Sequence, residues 1–320
     1  VYRDTRLAIH RDHLLGGTLA DEGHRRVAQS SRQRRVGVRS VQPDAPSLVE
    51  VTIMAARAER SVKRLATTWV ATARCLLPQP NTDPLDPGEA QLWGRHHIAH
   101  LMVIFTDTLQ TVTTPTTIRP MTLARVIDER RKATNTLAAI GHEVIADDTA
   151  SRLASQAQRL LDNVESVLLA TPGPPATVDS LVGPVRVTDQ LRATLLAMAA
   201  MGLHDGIDIP SGAIIESCRT LSAVLDETHG GRTIELRVPP ACAVQLAAIE
   251  SGPNHHRGTP PNVAETAPVT FLQLATGFSH WPEMRSAGRV QASGSHVDDV
   301  AGVFPVVDMA GVFRDIFADD

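Results

Sequence analysis

The sequence predicts an α+β protein, in which a bundle of long helices precedes a smaller domain that mixes strands and helices. Before residue 210, apolar residues recur at three- and four-residue spacing over several long stretches. Segments rich in proline and glycine separate these stretches, and alternating strand patterns follow only after that point. With 320 residues, the chain is long enough for two domains.

The composition narrows the class of protein. Hydrophobic residues make up 42% of the chain and aromatic residues 3%, so aliphatic side chains must build the cores. A net charge of −4 argues against a general nucleic-acid binder. Three widely spaced cysteines predict reduced thiols. No long apolar run or leading signal segment is seen, which predicts a cytoplasmic protein that is not integral to a membrane. The sequence leaves protein partners open.

The opening segment, residues 1–46, is basic and lacks a sustained apolar period. We expect a disordered or non-native basic tail there. Two alternatives are a later translation start, near Met54, and an arm that contacts nucleic acid.

Residues 47–210 predict a four-helix bundle. An apolar stripe that includes Val62, Leu65 and Trp69 marks the first helix, and residues 89–112 mark the second. Thr122 is a suitable cap for a third run, which continues toward residue 170 with a break near residues 147 and 148. The last helical run starts near residue 187 and ends near Gly202 or Gly206.

Residues 211–308 predict an α/β domain. Ser211 is expected to cap a helix that stops at Gly230, and residues 232–240 form a strand whose hairpin partner follows directly. Thr266 is expected to cap the next helix. A short helix near Trp281, a strand over 289–294, a last short helix and a tail helix over 309–320 complete the chain.

The stretch NHHRGTPPNVAET, residues 254–266, has two interpretations. It can form the rim of a ligand site, in which basic side chains meet an anionic headgroup. It can equally form a rigid turn, in which Asn262 bonds the local backbone and Arg257 pairs with Glu265. Apolar residues that follow can line a lipid cavity or simply form the core. The candidate ligand-binding residues are His255, His256, Arg257, Thr259, Asn262, Glu265, Phe271 and Trp281.

Histidines near residue 100 suggest a metal site. His96 and His100 share a helical face, and His204 can approach from another helix. The alternative is a histidine cluster that binds no metal. The chain has no phosphate-binding loop, nucleophile elbow or zinc-protease motif, so we assign no catalytic residue. No cofactor is expected, although a divalent metal is possible.

Residues 211–307 resemble the bacterial, actinomycete sterol-carrier-protein-like domain. The resemblance lies in RTIELRVPP, GPNHHRGTPPNVAET, FLQLATG, Trp281 and GRVQASG. It implies an α/β fold around an apolar cavity for lipid-like molecules. The chain departs from the family at His256, Ala264, Ala267 and Phe271.

Residues 60–210 resemble the DinB-like bundle of mycothiol-dependent maleylpyruvate isomerases, through HHIAHL and GPVRVTDQLRATLLAMAAMGLHDGIDIP. That family holds a divalent metal through one histidine on the first motif and a Glu-x-x-x-His pair on the last helix. His100 falls at the first position, but Ala197 and Met201 fall at the other two. Alanine cannot coordinate, and a thioether is a poor ligand for such a metal.

These observations predict a non-catalytic carrier or binding protein for an apolar small molecule, with a bundle that has lost most of its metal site. The alternative is a mycothiol-dependent, metal-containing isomerase or transferase. It would use His100 together with His96 or His204. A scaffold that binds another protein is the third possibility.

Overall fold

The computed structural model describes residues 48–77, 89–133, 150–247 and 262–317. All of them belong to one compact unit that spans Ser47–Asp320. Several sequence predictions lie outside the described residues: the basic tail, the break near residues 147 and 148, and His255, His256, Arg257 and Thr259.

The α+β class is confirmed. Its N-terminal part is built from α1 (Leu48–Leu76), α2 (Glu89–Val112), α3 (Leu123–Lys132), α4 (Ala150–Leu168) and α5 (Val187–His204). Within it, α2 packs on α4, and α1 packs on α5. Aliphatic side chains fill most of the interior, as the composition predicts. Trp69 is fully buried, and its indole N–H donates to the Thr194 hydroxyl over 2.8 Å.

Helix boundaries follow local chemistry in most places. The predicted cap of α3 is confirmed, since the Thr122 hydroxyl accepts from the Arg125 amide over 3.4 Å. Two predicted caps are wrong. Pro210 takes the cap position before Ser211, and Ala267 takes it before Pro268. Thr266 belongs instead to a strand, and its hydroxyl donates to the Arg289 carbonyl over 3.2 Å.

A short antiparallel hairpin precedes α5. It consists of β1 (Thr177–Ser180) and β2 (Gly183–Arg186), and Thr177 pairs with Arg186. Gly183 has a φ of 107°, a backbone conformation that favours glycine. Sequence reasoning missed this hairpin, because four residues are too few for an alternating pattern to stand out.

The C-terminal part is mixed. It contains α6 (Ser211–His229), β3 (Gly230–Val238), β4 (Cys242–Leu246), β5 (Asn262–Thr266), α7 (Pro268–Ala275), α8 (Trp281–Ser286), β6 (Val290–Ser293) and α9 (Met309–Phe317). The predicted last short helix is a 3-10 helix, Val297–Val303. The strand order is β4-β3-β5-β6; β3 and β5 run parallel, and the other neighbours run antiparallel.

The strand prediction at residues 232–240 is confirmed together with its hairpin partner. Ile234, Leu236 and Val238 are fully buried on one face of β3. Helix α6 packs against β3, β4 and α7, and it also packs against α1, α3 and α5. It therefore packs against elements of both the N-terminal and the C-terminal part.

The segment that enters α9 is hydrogen-bonded to the end of α7. The amides of Val307 and Met309 donate to the carbonyls of Ala275 and Thr276, over 3.0 and 3.1 Å. The Asp308 carboxylate accepts from the Gly311 amide over 2.7 Å and so caps α9. Helix α9 then packs on α5. Within the described residues, no helix combines the length and apolarity needed to cross a bilayer.

Candidate functional site

A cleft opens where three bundle helices meet the segment that leads into α9. We call it the bundle cleft, and its volume is about 70 Å³. Aliphatic side chains form most of its walls. The lining residues are His100, Val103, Ile104 and Asp107 of α2, Ile127, Arg130 and Arg131 of α3, Ala193, Leu196 and Ala197 of α5, and Val307, Met309 and Val312.

The charged residues at the end of the bundle cleft compensate each other. Asp107 accepts from the Arg130 guanidinium over 2.8 Å and from the Gln190 amide over 2.8 Å. Arg130 also donates to the Gln190 side-chain oxygen over 3.3 Å. The side chains of Arg130 and Asp107 are only 12% and 9% exposed. This pair joins α2, α3 and α5 without leaving a net charge on the wall.

A second depression, of about 240 Å³, lies beside the first, between α3 and α6. We call it the α3–α6 groove. It shares Ile127, Arg131 and Val307 with the bundle cleft. Together the two volumes reach the lower end of the range typical of small-molecule sites, about 300 Å³. The remaining lining residues are Ala124, Asp128, Val224, Leu225, Thr228, His229, Val303, Pro305 and Val306.

A buried ion pair lies near the other end of the bundle. The two nitrogens of His97 lie 2.7 Å from an Asp205 carboxylate oxygen and 2.7 Å from the Leu76 carbonyl oxygen. The buried imidazole of His97 therefore lies between a side-chain oxygen of the α5–α6 connection and the backbone at the end of α1. Asp205 also bonds His204 over 2.8 Å. Burial opposes ionisation of Asp205, but the hydrogen bonds from His97 and His204 hold its pKa below the ordinary value.

His100 remains neutral beside this charged pair. Burial lowers the pKa of His100 to about 4, the positive charge of His97 lowers it further, and Asp205 opposes both. The ring of Phe313, on α9, lies against His100 and His204, with ring centres 6.1 and 5.2 Å apart respectively. Phe313 is 1% exposed. Helix α9 therefore covers this histidine cluster with an aromatic side chain.

Acid is expected to destabilise the fold between pH of about 6.5 and about 4, because the unfolded chain protonates His100 before the folded chain does. The stability that His100 contributes is complete above its unfolded pKa of about 6.5, and it is lost as the pH falls toward about 4. We expect a loss of about 2 kcal/mol, after discounting for the part of the ring that faces the cleft. Urea unfolding of the wild type and of His100→Leu across this pH range measures how the free energy of unfolding depends on pH. Parallel pH profiles for the two proteins would contradict the prediction.

The described residues do not fit the metal site implied by the sequence resemblance. Ala197 lines the bundle cleft beside His100, and Met201 is buried in the core. A methyl group and a thioether stand where a carboxylate and an imidazole would be required. No group of three or more His, Cys, Asp or Glu side chains in the described ranges is arranged to hold a metal ion. His96, His100 and His204 are therefore not brought together as a ligand set.

Cys218 and Cys242 do not supply a reactive thiolate. Burial raises the pKa of Cys218 to about 12, and it also raises the pKa of Cys242. Cys242 lies 2.9 Å from the Ser222 hydroxyl. Thiols with raised pKa values are poor nucleophiles at neutral pH.

Phe271 and Trp281 belong to the core of the C-terminal part. Both pack against Phe304, with ring centres 6.1 and 6.0 Å away. The Trp281 indole donates to Asp298 over 3.1 Å. Phe271 is fully buried and Trp281 is 4% exposed. Neither residue lines the bundle cleft or the α3–α6 groove.

Asn262 and Glu265 lie on β5 and face opposite sides of the sheet. The buried Asn262 amide donates to the Thr233 carbonyl over 3.0 Å and accepts from the His296 amide over 2.9 Å. Asn262 thus bonds backbone groups, but these lie 29 and 34 residues away in sequence, so the predicted bond to the local backbone is not what the structure has. Glu265 pairs in register with Arg237, whose pKa is raised mainly by Glu235 and to a smaller extent by Glu265.

Sequence reasoning named His100 as a metal candidate but missed the other residues that shape the bundle cleft and its surroundings. On α2, the lining residues recur at helical spacing, a pattern in the sequence that marks one face of the helix. They are His100, Val103, Ile104 and Asp107. Arg130, Arg131, Asp205 and Phe313 come from distant elements, and no local pattern marked them.

Comparison with known proteins identifies the family that the C-terminal part resembles. Residues 212–306 match the family described as bacterial SCP orthologues. The predicted sterol-carrier-like domain is confirmed. The matched segment runs from the start of α6 to the segment that lines both depressions. No curated protein matches the sequence significantly.

Two similar solved structures are the mycothiol-dependent maleylpyruvate isomerase and a histidine-to-alanine mutant of it. The first has 15% sequence identity and a TM-score of 0.40; the match covers 73% of this chain and 92% of the isomerase. The second has 14% identity and a TM-score of 0.36, with coverages of 74% and 92%. Scores at this level transfer neither residue roles nor activity to this chain.

Proposed function

We propose that the protein binds an apolar small molecule non-covalently and does not transform it. The bundle cleft and the adjoining α3–α6 groove form the binding site. One observation carries the proposal: aliphatic walls surround a charge-compensated pair, Asp107 and Arg130, at the boundary of an SCP-like domain.

The polarity of the site supports an apolar ligand. His100 is neutral at physiological pH, and the Asp107 charge is matched by Arg130. Most of the remaining lining is Val, Ile, Leu, Ala and Met. Affinity would come from burying apolar area, about 25 cal/mol per Å² before the losses of association.

The absence of turnover follows, in this proposal, from the state of the reactive groups. The Cys218 thiol is protonated, and Asp107 is held by two hydrogen-bond donors. Ala197 and Met201 provide no metal ligand for an isomerase-like reaction. No contact within the described residues favours the alternative, a mycothiol-dependent metalloenzyme.

Ala197→Phe is expected to weaken binding of apolar ligands by at least about tenfold, because the added ring fills the bundle cleft. Isothermal titration calorimetry of the protein with decanol measures the affinity. Native mass spectrometry of freshly purified protein would show in parallel whether a molecule is retained.

The matched control is Ala71→Phe, which adds the same ring to an exposed position of α1. It should bind decanol like the wild type. The proposal fails if the wild type binds no apolar probe, or if Ala197→Phe and Ala71→Phe bind equally well.

A further inference from the structure

Arg131 occupies the junction of the two depressions. It lines both the bundle cleft and the α3–α6 groove, together with Ile127 and Val307. Its neighbour Arg130 is 12% exposed and bonds Asp107 and Gln190. The Arg131 side chain is instead 45% exposed, so its guanidinium can reach both solvent and a bound molecule.

The present partner of Arg131 is replaceable. Arg131 donates to Asp128 over 3.0 Å, and the Asp128 side chain is 48% exposed. An ion pair this exposed adds little to stability, because water solvates both charges well. A ligand anion can therefore compete for Arg131 at small energetic expense.

Asp128 keeps a partner when Arg131 turns away. The Lys132 ammonium lies 2.7 Å from the other carboxylate oxygen of Asp128. A hydrogen bond from Lys132 is the largest influence that holds the pKa of Asp128 below its ordinary value, and one from Arg131 comes next. Exchange of Arg131 from Asp128 to a ligand leaves no carboxylate unpaired.

Resting on the proposed function, we infer that the ligand is an amphipathic carboxylate. Its apolar body lies in the bundle cleft, and its carboxylate pairs with Arg131 at the junction with the α3–α6 groove. The planar guanidinium matches a carboxylate in a two-point hydrogen bond, which a hydroxyl or an ammonium headgroup cannot form. The site would therefore distinguish ligands of equal chain length by the charge of one end.

Decanoate, decanol and decyltrimethylammonium share one chain length and differ in headgroup. Comparing them tests binding of the apolar chain and recognition of the carboxylate separately. Calorimetry should show that the wild type binds decanoate about tenfold more tightly than decanol, and binds the cation most weakly. Arg131→Gln should remove the preference for decanoate, so that decanoate and decanol bind this variant with similar affinity. Added salt should reduce the preference in the wild type only.

Arg125→Gln is the matched control, since Arg125 is exposed on the same helix and lines neither depression. It should keep the preference for decanoate. Equal affinities for decanoate and decanol in the wild type, or an unchanged preference in Arg131→Gln, would overturn the inference while the proposed function stands. Failure of all three probes to bind would overturn both.

Discussion

Asp205→Ala is expected to lower the free energy of unfolding by about 1–3 kcal/mol, because it removes the acceptor of a buried hydrogen bond with His97. The side chains of His97 and Asp205 are 4% and 3% exposed, so water cannot replace the missing carboxylate. The same substitution removes one hydrogen-bond partner of His204. Urea unfolding at neutral pH measures the effect.

Asp208→Ala is the matched control, since Asp208 lies in the same connection between α5 and α6 and is exposed. We expect it to change stability by less than about 0.5 kcal/mol. The pKa of Asp205 is lower in the folded chain, so its contribution is complete above the unfolded pKa and fades as the pH falls through the folded one. Similar losses for the two variants would show that the buried contact between Asp205 and His97 adds nothing to stability.

Phe313→Ala is expected to lower the free energy of unfolding by about 3 kcal/mol, the low end for removal of a buried aromatic side chain. The ring is 1% exposed and stacks on Phe278 with centres 6.0 Å apart. Its loss also admits water to His100, so the pKa of that histidine should rise from about 4 toward its ordinary value of 6.5. Urea unfolding gives the stability, and an NMR titration of the His100 ring gives the pKa.

Leu181→Ala controls for the loss of a large apolar side chain, since Leu181 is 54% exposed in the β1–β2 turn. It should alter neither stability appreciably nor the titration of His100. If the His100 pKa stays near 4 in Phe313→Ala, the aromatic ring does not control water access to the cluster.

The parts of the fold that sequence predicted well are those with long, regular patterns. The bounds of α2 coincide with the predicted run, because Pro-rich and Thr-rich segments enclose it. The buried face of β3 was also predictable from simple alternation. Short elements were harder, since the four-residue strands β1 and β2 carry too little pattern.

Cap assignments failed where two rules competed. Thr266 has good capping chemistry, but strand pairing with Val290 extends β5 through it and moves the helix start. Ser211 is a suitable cap by type, yet Pro210 takes the cap position with a non-helical backbone, so the helix begins at Ser211, one residue earlier than a Ser211 cap requires.

The candidate site was the least predictable feature. His100 was identified because it belongs to a visible motif, but its environment depends on Phe313, which arrives from the far end of the chain. Arg131 carried no distinguishing local pattern among the charged residues of α3. Such contacts arise from tertiary packing, which neither helical periodicity nor residue type specifies.

Helix α6 has a consequence for any attempt to dissect the chain. Its buried residues, which include Ala213, Cys218, Leu221 and Leu225, serve two cores at once. A fragment that stops before α6 would lose a wall of the bundle, and one that begins after it would lose the support beneath the sheet. The described helices and strands all belong to one compact unit, so ligand and stability measurements call for a polypeptide that keeps α6 together with both parts.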